Sequence, residues 1–278
     1  MQGLSIWNRL ENFLSNKVWN LRNRSFSPPT SEELAGKDVK IFVVSHRDIE
    51  LPSVFSDRRV YVPLRVNNRN RLTSRRNWLV DDAGENISQY NELINEITGI
   101  WWVAKHYGEI GNPQFVGFDH YRRFLQWKPG MLESGVLVST SGFYLRKTIL
   151  ELSKDCFSPV FRDRFTNLFS GNPLLLQDLE SYLNGHTIYY SNLFITDRTT
   201  FFRYFEFLEK CVGMVLDMIQ SNAVSLDGLS PYKRRIYSFF LEHMTSLWIY
   251  HERKRGGIRH ITTKETRFDI PNLENSLT

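Results

Sequence analysis

The sequence predicts an α/β fold: a sheet built in the first half of the chain, followed by a helical C-terminal portion. Three observations carry this. Short apolar runs of strand length alternate with helical periodicity up to about residue 139, the pattern from which helix-covered sheets are built. Beyond residue 140, runs of Phe, Leu and Met at helical spacing dominate, over 200–219 and 231–250. The 278 residues are 41% hydrophobic and 14% aromatic, enough for a real core in one large domain or two small ones.

Residues 4–24 stand apart. Leu4, Trp7, Leu10, Leu14, Val18 and Leu21 recur at helical spacing, and Arg9, Lys17, Arg22 and Arg24 face one acid, Glu11. Such a helix suits a membrane interface; a helix packed on the chain's own core or on a partner subunit is the competing reading. Ser27-Pro28-Pro29-Thr30-Ser31 then reads as a linker. The expected organisation is an N-terminal helix and linker over 1–36, a single domain over 37–270 and a tail over 271–278.

Lys40-Ile41-Phe42-Val43-Val44-Ser45-His46 has the apolar continuity of a strand buried on both faces. Val60–Leu64 is a second strand, with Pro63 placing it at an edge. From Arg58 to Arg76 there are seven arginines and no acid. A solvated basic loop and an anion- or membrane-facing surface both fit. Asp81–Asn86 is turn chemistry, and a helix is expected over 87–107, capped by Asn86 or Ser88 and ended by Gly108. Strands follow at 115 and at Val136–Ser139. Residues 144–185 read as helical with a break at Gly171-Asn172-Pro173, and Thr187–Ile195 as extended.

Composition narrows the chemistry. A net charge of +5 and a pI near 9.1 suit an anionic partner. Cys156 and Cys211 are the only cysteines, so a cysteine-rich zinc site is excluded and buried free thiols in a reducing compartment are expected. With no long apolar run and no signal peptide, a cytoplasmic protein is expected. Dinucleotide-binding, Walker A, nucleophile-elbow and HExxH motifs are all missing.

The most informative stretch is Phe115–Phe124. An apolar run delivers Asp119, His120, Tyr121, Arg122 and Arg123 together. The acid and imidazole suit metal binding or proton transfer, and the arginines suit phosphate. A salt-bridged strand end is the alternative.

Several segments together resemble a bacterial glycosyltransferase-like family, long catalogued as a domain of unknown function, whose members occur in capsular, exopolysaccharide and O-antigen gene clusters. They are Ile41–Arg47, Tyr61–Asn67, Asp81–Ser88 with Asn91, Glu96–His106, the hallmark His120–Phe124, Asp178-Leu179, Asn192–Ile195 and Arg235–Trp248. The match spans about 39–250. It departs at Asn67 and Glu85, at His243, and in the histidines expected upstream of Asp178.

The resemblance implies a GT-A-like fold that moves a sugar, with galactose or galactofuranose favoured, from a nucleotide donor, probably UDP-linked, to a polysaccharide or lipid-linked glycan. His46, Arg47, Asn86, Ser88, Asn91, His120, Arg122 and Arg123 are assigned to the donor. Asn86 and Ser88 also fit a plain helix cap, and Arg122 and Arg123 a pairing with Glu96 or Glu242. The departing diphosphate needs a divalent metal or cationic side chains. The Asp-x-Asp pair that holds Mn or Mg in many GT-A enzymes lacks its second acid here, which leaves Asp119 and His120 as the metal candidates. Asp178 is the first candidate base, then Glu242 and Asp119. Tyr190 and Asn192 are assigned to the acceptor, with ordinary strand aromatics as the rival reading for the tyrosine. The expected location is cytoplasmic, peripheral on the inner face of the cell membrane if residues 4–24 bind it. An inactive nucleotide-sugar-binding scaffold is the alternative function. Nucleic-acid binding is not expected, because no recognised motif is present.

Overall fold

The computed structural model describes residues 27–34, 36–47, 51–67, 78–230 and 232–268. Residues 4–24, residues 68–76 of the arginine-rich stretch and the Tyr190 side chain lie outside the described part.

Val39–Ser45 forms β1, Tyr61–Arg65 β2 and Leu79–Val80 β3. A 3₁₀ turn at Ser88–Tyr90 leads into α1 (Asn91–Ile94), and α2 covers Ile97–Lys105. Phe115–His120 is β4, Arg123–Leu125 β5 and Val136–Phe143 β6. Three helices follow: α3 (Ile149–Leu152), α4 (Pro159–Leu168) and α5 (Pro173–Leu183). Thr187–Asp197 is β7, Arg198–Gln220 α6, Ile236–Lys254 α7, and the short strands β8 (Arg259–Thr262) and β9 (Glu265–Arg267) close the described chain.

The sheet order is β3-β2-β1-β4-β7-β6-β8, with β5 bridging β4 to β9. β1 is parallel to β2 and β4, and β3 to β2; β7 runs against both β4 and β6. The period of two assigns each side chain a face. Phe42, Val44, Val116 and Phe118 join the larger core with α2, α6 and α7, whereas Ile41, Val43, Phe115 and Ile195 join a second core with Phe55, Tyr121 and Trp127. Both faces are buried, which explains the unbroken apolar run in β1. At Gly117 a Cβ would lie 2.7 Å from both Ile195 Cγ1 and Ile41 Cδ1, so any larger residue would force these side chains to shift.

Three expectations are refined. Pro63 lies opposite Val43, and β3 pairs only with Leu64 and Arg65, so the proline occupies an outer stretch of β2 without being on the last strand. The helix expected over 87–107 is broken at Asn95, whose φ of 49° is left-handed. Its carbonyl accepts from Asn91 Nδ2 (2.8 Å) and Thr98 Oγ1 (3.1 Å), bonds that stabilise the break locally. At the linker, Pro28, Pro29 and Leu34 are buried against the domain. The break at 171–173 is as expected: Asn172 caps α5 by accepting from the Leu175 N–H at 3.1 Å. Cys156 and Cys211 are free and buried. No helix among the described residues is long and apolar enough to cross a membrane.

Candidate functional site

The carboxyl ends of parallel strands leave a crevice where loops diverge. Here the ends of β1, β2 and β4 meet α1, α2 and the start of α7 around a cavity of about 320 Å³. His46 follows β1, Asn67 follows β2 and His120 ends β4. Asn91, Asn95 and Glu96 come from the broken helix, Arg122 from the β4–β5 turn, Arg123 from the start of β5, Arg235 from the residue that caps α7 and Glu242 from α7 itself.

Tyr121 organises the cationic wall. It is buried, and its N–H donates to the Val44 carbonyl at 3.0 Å. Its ring meets His46 edge-on at 5.3 Å and His120 at 4.3 Å, and the guanidiniums of Arg47 and Arg122 lie 4.8 and 4.9 Å from its centroid. Cation–π packing thus fixes side chains that would otherwise be mobile in solvent. Arg122 is therefore held by a ring, while Arg123 and Arg235 are the cations whose charge reaches Glu96 and Glu242.

Burial pushes the His120 imidazolium down to about 3, and Arg123, Arg122, His46 and Arg235 add to this. The ring is neutral at pH 7. Its Nδ1 accepts from the Arg122 N–H at 3.3 Å, so the proton sits on Nε2 as a donor. Burial also raises the Glu242 carboxyl to about 8, helped by the charge of Glu96 and opposed by Arg235 and Arg123. Glu96 is raised as well, by burial first, with a 3.4 Å hydrogen bond from Asn192 Nδ2 working against it. Asn192 is held in turn by Thr245 Oγ1 (2.7 Å), which meets the Tyr204 hydroxyl at 2.8 Å. The Asn95 amide is best assigned with its oxygen toward donors: Ser238 Oγ at 2.6 Å, and Arg235 Nε and Nη2 at 2.9 and 3.0 Å.

Of the sequence-predicted residues, His46, Asn91, His120, Arg122, Arg123 and Glu242 come together around the cavity. Others lie elsewhere. Arg47 stacks on Tyr121 behind the wall. Asn86 Nδ2 donates to the carbonyls of Asp82 and Gly84, and its Oδ1 accepts from the Ser88 hydroxyl at 2.8 Å, so both side chains are used within a local turn. Asn192 stands behind Glu96 rather than on the cavity wall. Asp178, expected first as the base, is fully buried between α5 and the end of α7. There it accepts from Lys254 Nζ (2.6 Å), His251 Nδ1 (2.7 Å) and Arg255 Nε (3.2 Å), which makes it an interhelical anchor.

Asp119 and His120 do not converge. Adjacent residues of a strand face opposite ways, and Asp119 points to the second core, where Oδ1 accepts from the Leu125 N–H at 3.0 Å and Oδ2 has no hydrogen bond. Among the described residues no three His, Cys, Asp or Glu gather in a metal-binding group. Asp119 and His120 therefore do not form one metal site.

Sequence reasoning missed Arg235, Asn95 and Tyr121 as site residues. Arg235 and Glu242 are seven apart, two turns on one helix face, which was a usable signal. The left-handed asparagines were another: Asn67 and Asn95 line this cavity and Asn192 stands behind it, three of the five non-glycine residues with positive φ among the described residues.

Residues 40–254 match the sequence profile of a family described as a domain of unknown function, DUF4422, and the chain belongs to that family. Among solved structures it resembles the WbbM bifunctional glycosyltransferase in its apo form, at a TM-score of 0.64 and 17% identity over 84% of this chain. The chain spans 46% of that protein. The likeness concerns the fold: a mixed α/β domain with a central sheet and a helical C-terminal portion. No curated protein matches the chain.

Proposed function

We propose that this chain is a glycosyltransferase. It moves a hexose, galactose or galactofuranose by preference, from a UDP-linked donor to a polysaccharide or lipid-linked glycan of the capsule, exopolysaccharide or O-antigen kind. The observation that supports this most is the cavity at the carboxyl ends of β1, β2 and β4, where Arg122, Arg123 and Arg235 stand opposite two carboxyls with raised proton affinity. The fold shared with a glycosyltransferase supports the same reading.

In this mechanism the bond between the anomeric carbon and the β-phosphate oxygen breaks, and its electron pair leaves on the diphosphate. The three arginines and the Nε2–H of His120 take up that charge by charge-assisted hydrogen bonds. In an inverting transfer the acceptor hydroxyl attacks the anomeric carbon and gives its proton to a base. Glu242 takes that role in place of Asp178, because it lines the cavity and its proton affinity lies close to neutral. Asn192 and Thr245 position Glu96 beside it.

The test is a thermal-shift and transfer assay with UDP, UDP-galactose and UDP-galactofuranose. A ligand at 100 times its Kd should stabilise the fold by about 2.7 kcal/mol. Stabilisation that disappears in Arg123→Ala supports the site. Absence of stabilisation by every nucleotide sugar would overturn the reading, and donor binding without transfer to any glycan would make the chain a scaffold.

A further inference from the structure

β7 runs antiparallel to both β4 and β6, so β6 is parallel to β4 and ends at the sheet edge on which the cavity opens. Just past that end the chain holds two apolar side chains in solvent: Phe143 is 65% exposed and Leu145 80%. Nowhere else among the described residues do two large apolar side chains at least this exposed lie within three positions. Arg146 and Lys147 follow directly and are exposed too.

The segment is built rather than loose. The Tyr144 N–H donates to the His186 carbonyl at 2.9 Å, and His186 Nδ1 lies 3.0 Å from the Lys147 carbonyl. Phe143 rests against the His186 ring at 5.7 Å. The nearby acid, Glu151, is tied to the Thr148 backbone N–H at 2.7 Å in a capping box; it senses the Lys147 charge, so the tip keeps a net positive charge from Arg146. A hydrogen-bonded segment thus presents Phe143 and Leu145 to solvent, with Arg146 and Lys147 next in sequence.

We propose that the Phe143–Lys147 tip is a membrane-contact element that enters an anionic bilayer surface and turns the cavity edge toward it. Phenylalanine and leucine reach the headgroup–acyl boundary while Arg146 and Lys147 meet lipid phosphates, the division of labour of interfacial segments. This rests on the exposed tip and its charges, not on the transferase reading, and involves neither the cavity nor residues 4–24.

The test uses the full chain as Leu145→Cys carrying an environment-sensitive fluorophore, attached under native conditions in which Cys156 and Cys211 are buried. The probe is a vesicle of phosphatidylcholine with about one third phosphatidylglycerol, compared with phosphatidylcholine alone. The label should brighten and shift to the blue on the anionic vesicles only. The same label at Leu174, at the far end of α5, should not respond. Phe143→Ser with Leu145→Ser should weaken vesicle binding about tenfold, and Arg146→Ser with Lys147→Ser should remove the preference for anionic lipid. A silent label at 145, or a serine variant that binds as well as the parent, would overturn the proposal. So would self-association of the parent, without vesicles, that the serine variant abolishes. Parental melting temperature and circular dichroism in the tip variants would confirm that they remain folded.

Discussion

Replacing Asp119 with Asn isolates the cost of one buried charge. Asp119 is 1% exposed, one oxygen accepts from the Leu125 N–H at 3.0 Å, and the other has no partner. Burial, with a smaller push from Glu265, raises the carboxyl from 3.8 to about 8. Between those values the folded state holds a proton that the unfolded state has released. Stability from this group is therefore full below pH 4 and falls as pH rises toward 8. One titrating group changes stability by about 1.36 kcal/mol per pH unit in such a window, so pH 5.5 to 7.5 costs about 2.7 kcal/mol. Asparagine keeps an acceptor for the Leu125 N–H and does not ionise. Urea denaturation of both proteins at the two pH values gives the slope. The variant should gain on the parent by about 2 to 3 kcal/mol across the interval. Because Glu96 and Glu242 titrate in both proteins, their contributions cancel in the difference. An equal stability gap at both pH values would refute a protonated, buried Asp119.

Other outcomes follow from the site and its supports. Glu242→Gln should lower transfer by about 10² to 10⁴-fold with donor affinity nearly unchanged. Parental transfer should rise with pH through about 8 as this carboxyl loses its proton; a rate flat from pH 6 to 9 would remove Glu242 as the base. Arg123→Ala should weaken UDP binding about 10- to 100-fold, the worth of charged hydrogen bonds to phosphate, measured by calorimetry on protein with parental melting. Asp178→Asn should cost about 1 to 3 kcal/mol in urea denaturation and leave UDP affinity intact, since it strands His251, Lys254 and Arg255, of which the last two are partly solvated. Burial alone would raise the Asp178 carboxyl, but Lys254, His251 and Arg255 hold it low, so its contribution is present at neutral pH and fades as pH falls below the ordinary carboxylate range. Gly117→Ala should destabilise by about 1 to 3 kcal/mol through contacts of 2.7 Å with Ile195 and Ile41.

Local patterns in the sequence located much of this, and distance in the chain hid the rest. β1 and β4 were legible because apolar continuity and length distinguish a strand buried on both faces. The helices of the second half were legible from periodicity, to within a few residues at most ends. The His120–Arg123 cluster was visible because charged residues rarely follow such a run without a task. The opposite facing of Asp119 and His120 was also available, since Asp119 shares its face with Phe115 and Gly117 by the strand period. Asp178 illustrates the limit: its three partners lie 73 to 77 residues away, and no local pattern announces them. Arg235 lies 112 residues from Arg123, and only folding brings both to Glu96 and Glu242.

The arrangement of charge around the cavity separates a binding site from a structural ion-pair network. If Arg123 and Arg235 served only to neutralise Glu96 and Glu242, both carboxyls would be held below their ordinary values, as Asp178 is by its three cations. They are raised instead, by burial and, for Glu242, by the charge of Glu96. With these acids inclined to keep their protons, the wall that holds Arg122, Arg123 and Arg235 carries net positive charge. His120 is lowered by burial first, and the nearby Arg123, Arg122, His46 and Arg235 add to it. Left-handed asparagines and buried acids are costs that a fold selected for stability alone would shed, and here they gather at one sheet edge. A positive potential maintained at that cost suits an anionic ligand such as a diphosphate. Diphosphate binding should then raise the proton affinity of Glu242 further, so the pH at which transfer reaches half its maximum should be higher in the donor complex, read from kcat, than in the free protein, read from kcat/KM. Coinciding midpoints would mean that the bound anion is too far from Glu242 for that carboxyl to act on the reacting acceptor.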